Sequence, residues 1–372
     1  MTTPTPTSSS SSTTTHNDKL MLPQLKQLND VWIFSEDAVL NHTPARAQKI
    51  PLEQELKMKE ALSDFLIRLG SALRIDGRTI LAATVYLHRY YMRTQISNSK
   101  YNVVSAALTI SGKLNDNYRP PEKVASYACH IRDKVPLNEH NEIYWAWRDQ
   151  LLFREELILR KLNFDLNLVL PYSLRDSILK NCYSDELMGM DKVELLKKTV
   201  SLIESLSSLP VILCYHMNVI FGTAMIIVKL EFDRQNKEKE NENLPNGFLK
   251  DYLNTDSDAC CRCFRFIKKL LGICQADRHG PSNKALIKRI LVIESEKFAN
   301  AVKFGDYNDD NEKLDASTNG SEVETKKIEN GENDNSQKTI TNEDVLPHGE
   351  KRKNEDLGNT SDEPETKVPK TE

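Results

Sequence analysis

The feature that most constrains the fold is a helical hydrophobic period that runs almost unbroken through the middle of the chain. In residues 53–73 the apolar side chains recur three and four positions apart: Leu62, Phe65, Leu66 and Leu69. This spacing places them on one face of an α-helix. Strand-like alternation is almost absent elsewhere in the chain. The sequence therefore predicts an all-α protein.

The helical segments fall into two consecutive sets of five. The predicted helices are 53–73, 78–92, 101–114, 120–129 and 145–162, then 173–181, 192–207, 217–232, 251–271 and 284–302. The third helix of each set is the most apolar and ends in a lysine and a leucine, Lys113-Leu114 and Lys229-Leu230. This repetition indicates a duplicated helical module. We predict an N-terminal helix and linker over residues 31–52, a first module over 53–170 and a second over 171–305.

The two ends of the chain differ from the middle in composition. Residues 1–30 open with a run of Ser, Thr and Pro, and residues 306–372 carry 19 acidic and 9 basic side chains. Such segments bury too little apolar surface to offset the entropy of ordering a backbone. We therefore predict a disordered head over 1–30 and a disordered acidic tail over 306–372. Binding of basic partners and simple solvation both remain open for the tail.

Three short motifs are candidates for modification or targeting. Thr3, Thr5 and Thr43 each precede a proline and could be phosphorylated by a proline-directed kinase. Lys351-Arg352-Lys353 is a candidate nuclear import signal of low specificity.

Several classes of function are excluded by what the sequence lacks. No segment approaches the roughly 20 uninterrupted apolar residues of a membrane helix, and no signal-peptide pattern opens the chain. The seven cysteines are therefore interpreted as reduced thiols of the cytosol or nucleus. Phosphate-loop, metalloprotease and hydrolase motifs are absent, so we expect no catalysis and no cofactor. Basic residues alternate with acids rather than forming a stripe with aromatics, so direct nucleic-acid binding is not expected.

One cysteine cluster leaves two interpretations open. A CxxC spacing followed by a thiol and an imidazole could hold zinc: Cys260, Cys263, Cys274 and His279. The alternative is that the thiols are small buried groups on a continuous helix, since no second close ligand pair follows. His88, on the helix 78–92, is likewise expected to be a packed side chain rather than a ligand.

Two charged residues stand out on apolar helices, Lys113 and Glu155. A charge at the edge of a helix packed into a core is costly unless another group takes it up. Lys113 could extend to solvent at its helix end, and Glu155 could pair with Arg154, Arg160 or Lys161. The other interpretation is that both bind a partner protein.

Four stretches of the sequence resemble cyclins in their order and spacing. They are Trp32-Ile33-Phe34 leading to Asn41-His42-Thr43-Pro44, the segment YLHRYYM at 86–92, the helix of Lys113, and residues 155–166. The chain resembles the cyclin T and K group most, which implies two tandem five-helix cyclin boxes. Two further segments, NHTPAR at 41–46 and KLNDNYRPP at 113–121, are similar to the cyclin subunit of the fungal Bur kinase.

The resemblance implies a role for the two charges. In cyclins the matching lysine and glutamate hold the backbone of the kinase's regulatory helix and of the loop before it. That helix carries the glutamate that pairs with the ATP-positioning lysine of the kinase. By the same residue-for-residue match, an apolar surface surrounds the two charges: Leu114, Leu159, Phe164 and Leu166. For Phe164 and Leu166 the alternative is simple core packing.

The resemblance also implies a partner and a compartment. The partner would be a cyclin-dependent kinase of the Bur type, related to the kinase of positive transcription elongation factor b. Its substrates would be the RNA polymerase II C-terminal repeat and elongation factors, in the nucleus. Residues 58–62 (MKEAL) stand in place of the substrate-docking motif of cell-cycle cyclins, but Glu60 and Ala61 make that mode of docking unexpected.

A transcription factor of the IIB kind is the alternative function. Such factors use the same duplicated module to bind DNA and the TATA-binding protein. This hypothesis predicts an N-terminal zinc ribbon with paired CxxC motifs, which the Ser- and Thr-rich head does not contain.

Overall fold

The computed structural model describes residues 30–97, 99–235, 243–276 and 280–306. These residues are mainly α-helical, with one short antiparallel hairpin of β1 (Glu186–Leu187) and β2 (Met190–Asp191). The predicted all-α class is therefore confirmed. The predicted head and tail lie outside the described residues except for their inner edges, and so do Thr3, Thr5 and Lys351-Arg352-Lys353.

The first predicted set of five helices is present. After a 3-10 helix (Asp30–Trp32), the helices are α1 (Glu36–Asn41), α2 (Pro44–Ala47), α3 (Leu52–Ala72), α4 (Gly77–Tyr91), α5 (Lys100–Leu114), α6 (Pro121–Asp133) and α7 (Glu142–Lys161). Local chemistry explains several starts. The Asp76 carboxylate accepts a hydrogen bond from the Thr79 amide at 2.7 Å, which caps the free N–H groups of α4. Pro121 opens α6, where its missing N–H costs nothing.

Helix α5 lies at the centre of the first set, as its small residues predict. It packs against α3, α4, α6 and α7, and its residues from Val103 to Gly112 are buried. At Gly112 a Cβ atom would lie 3.0 Å from the Asn117 carbonyl oxygen. Because Gly112 has no Cβ atom, the backbone of Asn117 can approach it closely where the chain turns back after α5.

The second set contains more helices than predicted. After α8 (Pro171–Asn181) and α9 (Lys192–Leu206), a 3-10 helix (Pro210–Leu213) leads to α10 (Met217–Gln235), α11 (Phe248–Leu253), α12 (Ser257–Ala276), α13 (Pro281–Ile290) and α14 (Ser295–Lys303). The single helices predicted at 251–271 and 284–302 were wrong. Asn254 takes a left-handed backbone with φ 47° and ends α11, and the Asp256 carboxylate caps α12 through the Ala259 amide. Residues 291–294 separate α13 from α14.

Two apolar clusters form the core. One is built mainly from α3 to α7, and the other mainly from α8 to α14. In the second cluster the rings of Phe264 and Phe298 stack with centroids 4.0 Å apart. Helices α1, α3 and α4 also contribute to the second cluster, through Val39, Leu56 and Leu81. The two sets therefore share part of their apolar packing.

Buried polar contacts also connect the two sets. Glu60 is 2% exposed, and its carboxylate accepts hydrogen bonds from the Gly280 amide at 2.8 Å and the Asn283 amide at 2.9 Å. These amides belong to the start of α13, where helix N–H groups have no partner within the helix. In this chain Glu60, which stands within the segment that replaces the substrate-docking motif, therefore binds the start of α13 and does not face solvent.

A second buried network lies around Glu55. Its carboxylate accepts from the Lys59 ammonium at 2.7 Å, the Arg46 guanidinium at 2.8 Å and the Thr43 hydroxyl at 2.9 Å. Burial alone would raise the pKa of Glu55, but these partners hold that pKa below its usual range. Because the Thr43 hydroxyl is buried and bonded, phosphorylation of Thr43 would require this network to open.

His88 gives a prediction about the dependence of stability on pH. Its ring Nε2 lies 2.7 Å from the Ser207 carbonyl oxygen, which can only accept, so the neutral ring donates this bond. Burial lowers the pKa of His88 from 6.5 to about 4. The unfolded chain therefore binds the proton first, and we expect stability to fall by up to about 3 kcal/mol between pH 6.5 and pH 4.

The measurement is urea unfolding across that pH range, for the native chain and His88→Asn. The variant should lose most of the pH dependence that the imidazole contributes. An unchanged slope in the variant would show that other groups cause the acid sensitivity.

Candidate functional site

Lys113 and Glu155 form an ion pair between the end of α5 and the middle of α7. The Glu155 side chain is 10% exposed and the Lys113 side chain 47% exposed. Packing of α5 against α7 brings the two charges together from positions 42 residues apart. The sequence predicted one shared surface but not that the two residues pair with each other.

Among the described residues, none of the local alternatives, Arg154, Arg160 or Lys161, forms an ion pair with Glu155. Arg160 pairs with Glu156, and Arg154 donates to the Ser99 hydroxyl at 2.7 Å. An ammonium has three N–H donors, and a carboxylate has lone pairs on two oxygens. After the two pair with each other, the Lys113 ammonium therefore still has N–H groups that can donate hydrogen bonds to another protein, and the Glu155 carboxylate still has lone pairs that can accept them from it.

The four predicted apolar residues divide into two kinds. Leu114 is 51% and Phe164 68% exposed, so both project into solvent, Leu114 next to Lys113 in the chain and Phe164 just after α7. Leu159 and Leu166 are partly buried and pack against the first core. The core-packing alternative is thus excluded for Phe164, while Leu166 combines partial exposure with core contact.

Leu152 belongs to the same face and was missed in the sequence. It lies three residues before Glu155 and seven before Leu159, which places the three on one side of α7. Its side chain is 42% exposed. The available signal was the run Leu151-Leu152-Phe153, because three consecutive positions of a helix cannot all face one core.

The loop after α7, which carries Phe164, has an unusual backbone conformation. Asn163 and Phe164 have φ of 52° and 57°, in the left-handed region that a bulky residue rarely adopts. The Phe164 amide donates to the Leu159 carbonyl at 2.9 Å, which closes the turn. Such strain persists only where surrounding contacts fix the conformation.

Side chains from the N-terminal segment and α4 provide these contacts. The Trp32 indole donates to Asp165 at 2.9 Å, and the Tyr86 hydroxyl donates to the Leu166 carbonyl at 2.8 Å. Arg93 donates to the Lys161 carbonyl at 2.9 Å, and its guanidinium lies 4.3 Å above the Trp32 ring. The position of Phe164 is therefore set by residues distant in sequence.

Trp32 gives a prediction about this loop. In Trp32→Phe a smaller aromatic ring remains but the indole N–H donor is lost, so the Asp165 carboxylate loses one hydrogen bond. We expect a stability loss of about 1–2 kcal/mol and faster amide hydrogen exchange over residues 163–167. Hydrogen-exchange mass spectrometry measures both, with Trp145→Phe as control because that indole is 48% exposed. Equal exchange in the two variants would contradict the anchoring role of Trp32.

The second set of helices does not reproduce the exposed pair. Lys229, which matches Lys113 in the repeat, is 4% exposed and pairs with Asp233 on its own helix. Glu231 accepts two hydrogen bonds from Arg289, both at 2.9 Å. Among the described residues, Lys229 and Glu231 thus both have partners within the chain, Asp233 on α10 and Arg289 on α13.

Three of the four cysteines of α12 behave as buried apolar groups. Cys260, Cys263 and Cys274 are each at most 1% exposed, and burial raises the pKa of Cys260 to about 12. Within the described ranges no group of three metal-ligating side chains occurs, and His279 lies outside them. Nor does any described helix have the length and apolarity to cross a bilayer.

Comparison with known proteins shows a similarity to cyclins over the first set of helices. Residues 33–167 match the family "Cyclin, N-terminal domain". Cyclin pch1 of Schizosaccharomyces pombe is 30% identical over 169 residues, which are 44% of this chain and 49% of that protein. Human Cyclin-T1 is 28% identical over 152 residues, 40% of this chain and 21% of that protein. Cyclin-T1-2 of Arabidopsis thaliana is 28% identical over 144 residues, 38% of this chain and 31% of that protein.

The similarity extends to a solved structure, the yeast RNA Pol II CTD kinase CTDK-1 complex. A chain of that complex superposes with a TM-score of 0.52 and 18% identity, covering 80% of this chain and 86% of that chain. At this identity the likeness establishes the fold alone. The matches reach about half or less of the length of the relatives. Residues 33–167 match the cyclin N-terminal domain, and over this region the chain is similar to cyclins.

Proposed function

We propose that this chain is the activating subunit of a cyclin-dependent protein kinase and is not itself an enzyme. It binds the kinase through Lys113, Glu155, Leu114, Leu159, Phe164 and Leu166. The observation that carries the proposal is the accessible Lys113–Glu155 pair in the cyclin-like region, with exposed Leu114 next to Lys113 and exposed Phe164 just after α7. The two charges suit backbone N–H and carbonyl groups of a partner, and the apolar side chains suit apolar side chains of the same partner.

The pair acts on the backbone of the kinase's regulatory helix. The Lys113 ammonium donates to carbonyl groups, and the Glu155 carboxylate accepts from N–H groups, so the contact does not depend on the partner's side chains. Phe164, held by its anchored loop, fills an apolar pocket of the partner. Together they hold the helix inward, where its glutamate pairs with the ATP-positioning lysine of the kinase.

The finer proposal concerns the kinase and its substrates. We assign the partner to transcriptional kinases of the Bur type, acting in the nucleus on the RNA polymerase II C-terminal repeat and elongation factors. Support comes from the relatives, which are cyclin T proteins and a fission yeast cyclin. We also propose residues 53–170 as the kinase-binding box and residues 171–305 as the second box.

The test is affinity purification of the chain and of its Lys113→Ala/Glu155→Ala variant, with kinase activity assayed on polymerase repeat peptide. Loss of a buried charged pair at an interface costs about 2–5 kcal/mol, so binding should weaken at least about 30-fold. The native chain should recover one kinase in stoichiometric amount. Equal recovery and activity with the variant would reject the proposed contact.

A matched control separates the site from charge removal in general. Lys123→Ala/Glu156→Ala removes one lysine of α6 and one glutamate of α7, both exposed. It should recover the kinase like the native chain. If both double variants lose the kinase equally, the effect comes from surface charge and not from the pair.

A further inference from the structure

A groove lined by cations lies between α1 and α12, away from the Lys113–Glu155 pair. Arg262, Arg265 and Lys269 follow one another at helical spacing and line a groove of about 280 Å³ with Glu36 and Phe266. All three cationic residues are exposed, and Phe266 is buried beneath them. We call these five residues the cation groove.

The cationic side chains of this groove form no ion pairs among the described residues, whereas the nearby acidic side chains of α1 have hydrogen-bond partners. Within the described residues, neither Arg262 nor Lys269 has an ion pair, and the Arg265 Nε donates only to the Cys261 carbonyl at 3.4 Å. Glu36 accepts a hydrogen bond from the Tyr215 hydroxyl. On the same helix α1, Asp37 pairs with His42 at 3.0 Å, and Asp258 stands one turn before Arg262 on α12. The lining of the groove therefore carries three cations and one carboxylate, that of Glu36, while the charge of Lys269 also acts on Asp37.

The chain leaves the described region beside this groove. Asp306 is its last described residue before the C-terminal segment, and its carboxylate accepts from the Ser257 amide at the start of α12, at 3.0 Å. Burial raises the pKa of the Cys261 thiol, and the charges of Arg265, Asp258, Lys303 and Asp306 all act on it. Asp306 and the first turns of α12 are therefore neighbours.

The next residues have the complementary charge. Residues 307–315 (YNDDNEKLD) contain four acidic residues and one lysine. Arg262 and Lys269 are seven positions apart, about 10 Å along a helix that rises 1.5 Å per residue. In an extended chain at about 3.3 Å per residue, Asp309 and Glu312 are also about 10 Å apart. From Asp306, the three steps to Asp309 can span up to about 10 Å.

We propose that residues 307–315 of this chain dock in the cation groove, with Asp309, Asp310 and Glu312 facing Arg262, Arg265 and Lys269. A tether of a few residues gives the segment a local concentration in the millimolar range, so even weak charge pairs favour the docked form. Acidic peptides of other proteins would have to compete with this segment for the groove. The contact is independent of the proposed kinase surface.

The test places a photo-reactive benzoylphenylalanine at Leu314 of the full chain. An undocked segment also reaches α12 near Lys269 and α1 at times, so docking is measured by the enrichment of cross-links there over other surfaces within reach, and by the response of these cross-links to salt. We expect cross-links to these two helices in low salt. In 1 M salt the cross-link yield should fall about tenfold, because the Debye length is then only about 3 Å and charge pairs are screened. Cross-links spread over other surfaces, or unchanged by salt, would overturn the proposal.

Charge reversal tests the pairing directly. Arg262→Glu/Arg265→Glu/Lys269→Glu should abolish the cross-links, and adding Asp309→Lys/Asp310→Lys/Glu312→Lys to that variant should restore them. This rescue also shows that the reversed chain folds. The control Lys123→Glu/Lys180→Glu/Lys197→Glu, at exposed lysines elsewhere, should leave the cross-links intact. Failure of rescue, or cross-links formed only between isotope-distinguished copies, would rule out docking within one chain.

Discussion

Phe164→Ala is expected to weaken kinase binding about 30- to 1,000-fold, because a central aromatic at an interface contributes about 2–4 kcal/mol. The free chain should keep its stability within about 0.5 kcal/mol, since the ring is 68% exposed and contributes little to the core. Isothermal titration with the purified kinase and urea unfolding of the free chain measure the two effects separately.

Phe164→Gly makes this prediction sharper. Residue 164 has a left-handed backbone, which glycine adopts without strain. The variant should therefore be as stable as the native chain or more so, by up to about 1 kcal/mol, although binding is lost. A loss of binding that follows a loss of stability would mean that Phe164 acts through the fold.

The matched control for Phe164 is Tyr183→Ala. Tyr183 is 92% exposed and lies in the second set of helices. Removing this aromatic ring should leave both binding and stability unchanged. If Tyr183→Ala weakens binding as much as Phe164→Ala, the proposed site covers the wrong surface.

Glu60→Ala is expected to destabilise the fold by about 3–5 kcal/mol. The substitution removes two hydrogen bonds from a buried carboxylate to the Gly280 and Asn283 amides and leaves these N–H groups without that acceptor. Because the contact connects α3 to α13, the loss should appear as a lower midpoint of urea unfolding for the whole chain. It should also expose α13 to faster hydrogen exchange.

Two variants calibrate this result. Glu60→Gln keeps one neutral acceptor oxygen and should cost less than Glu60→Ala, because hydrogen bonds to a charged group are stronger. Glu53→Ala removes an exposed glutamate from the same helix and should change stability by less than about 0.5 kcal/mol. Equal effects of Glu53→Ala and Glu60→Ala would show that the contact with α13 has no special weight.

Sequence reasoning succeeded where the signal was local. The five helices of the first set agree with their predicted positions to within a few residues at most ends, because apolar spacing and caps such as Asp76 are short-range features. It failed at Asn254 and at residues 291–294. There, the apolar pattern continues across a break that only the left-handed backbone of Asn254 and the packing of α13 and α14 reveal.

The candidate site shows the same division. Lys113, Glu155 and Phe164 were identifiable from the sequence, because charges on apolar helices and the resemblance to cyclins single them out. Leu152 was missed, since its exposure depends on which face of α7 meets α5. The inward turn of Glu60 was also missed, because its partners are 220 and 223 residues away in the chain.

The sequence by itself determined the helical class and the residue types at the proposed kinase surface, while the duplicated module stays a prediction. Hydrophobic periodicity and helix ends depend on neighbours a few positions away, so one chain can show them. Only the tertiary structure decided that Lys113 pairs with Glu155 while Lys229 is enclosed. Which charge remains accessible depends on helices that pack from distant parts of the chain, and burial then sets the energetic cost of each charge.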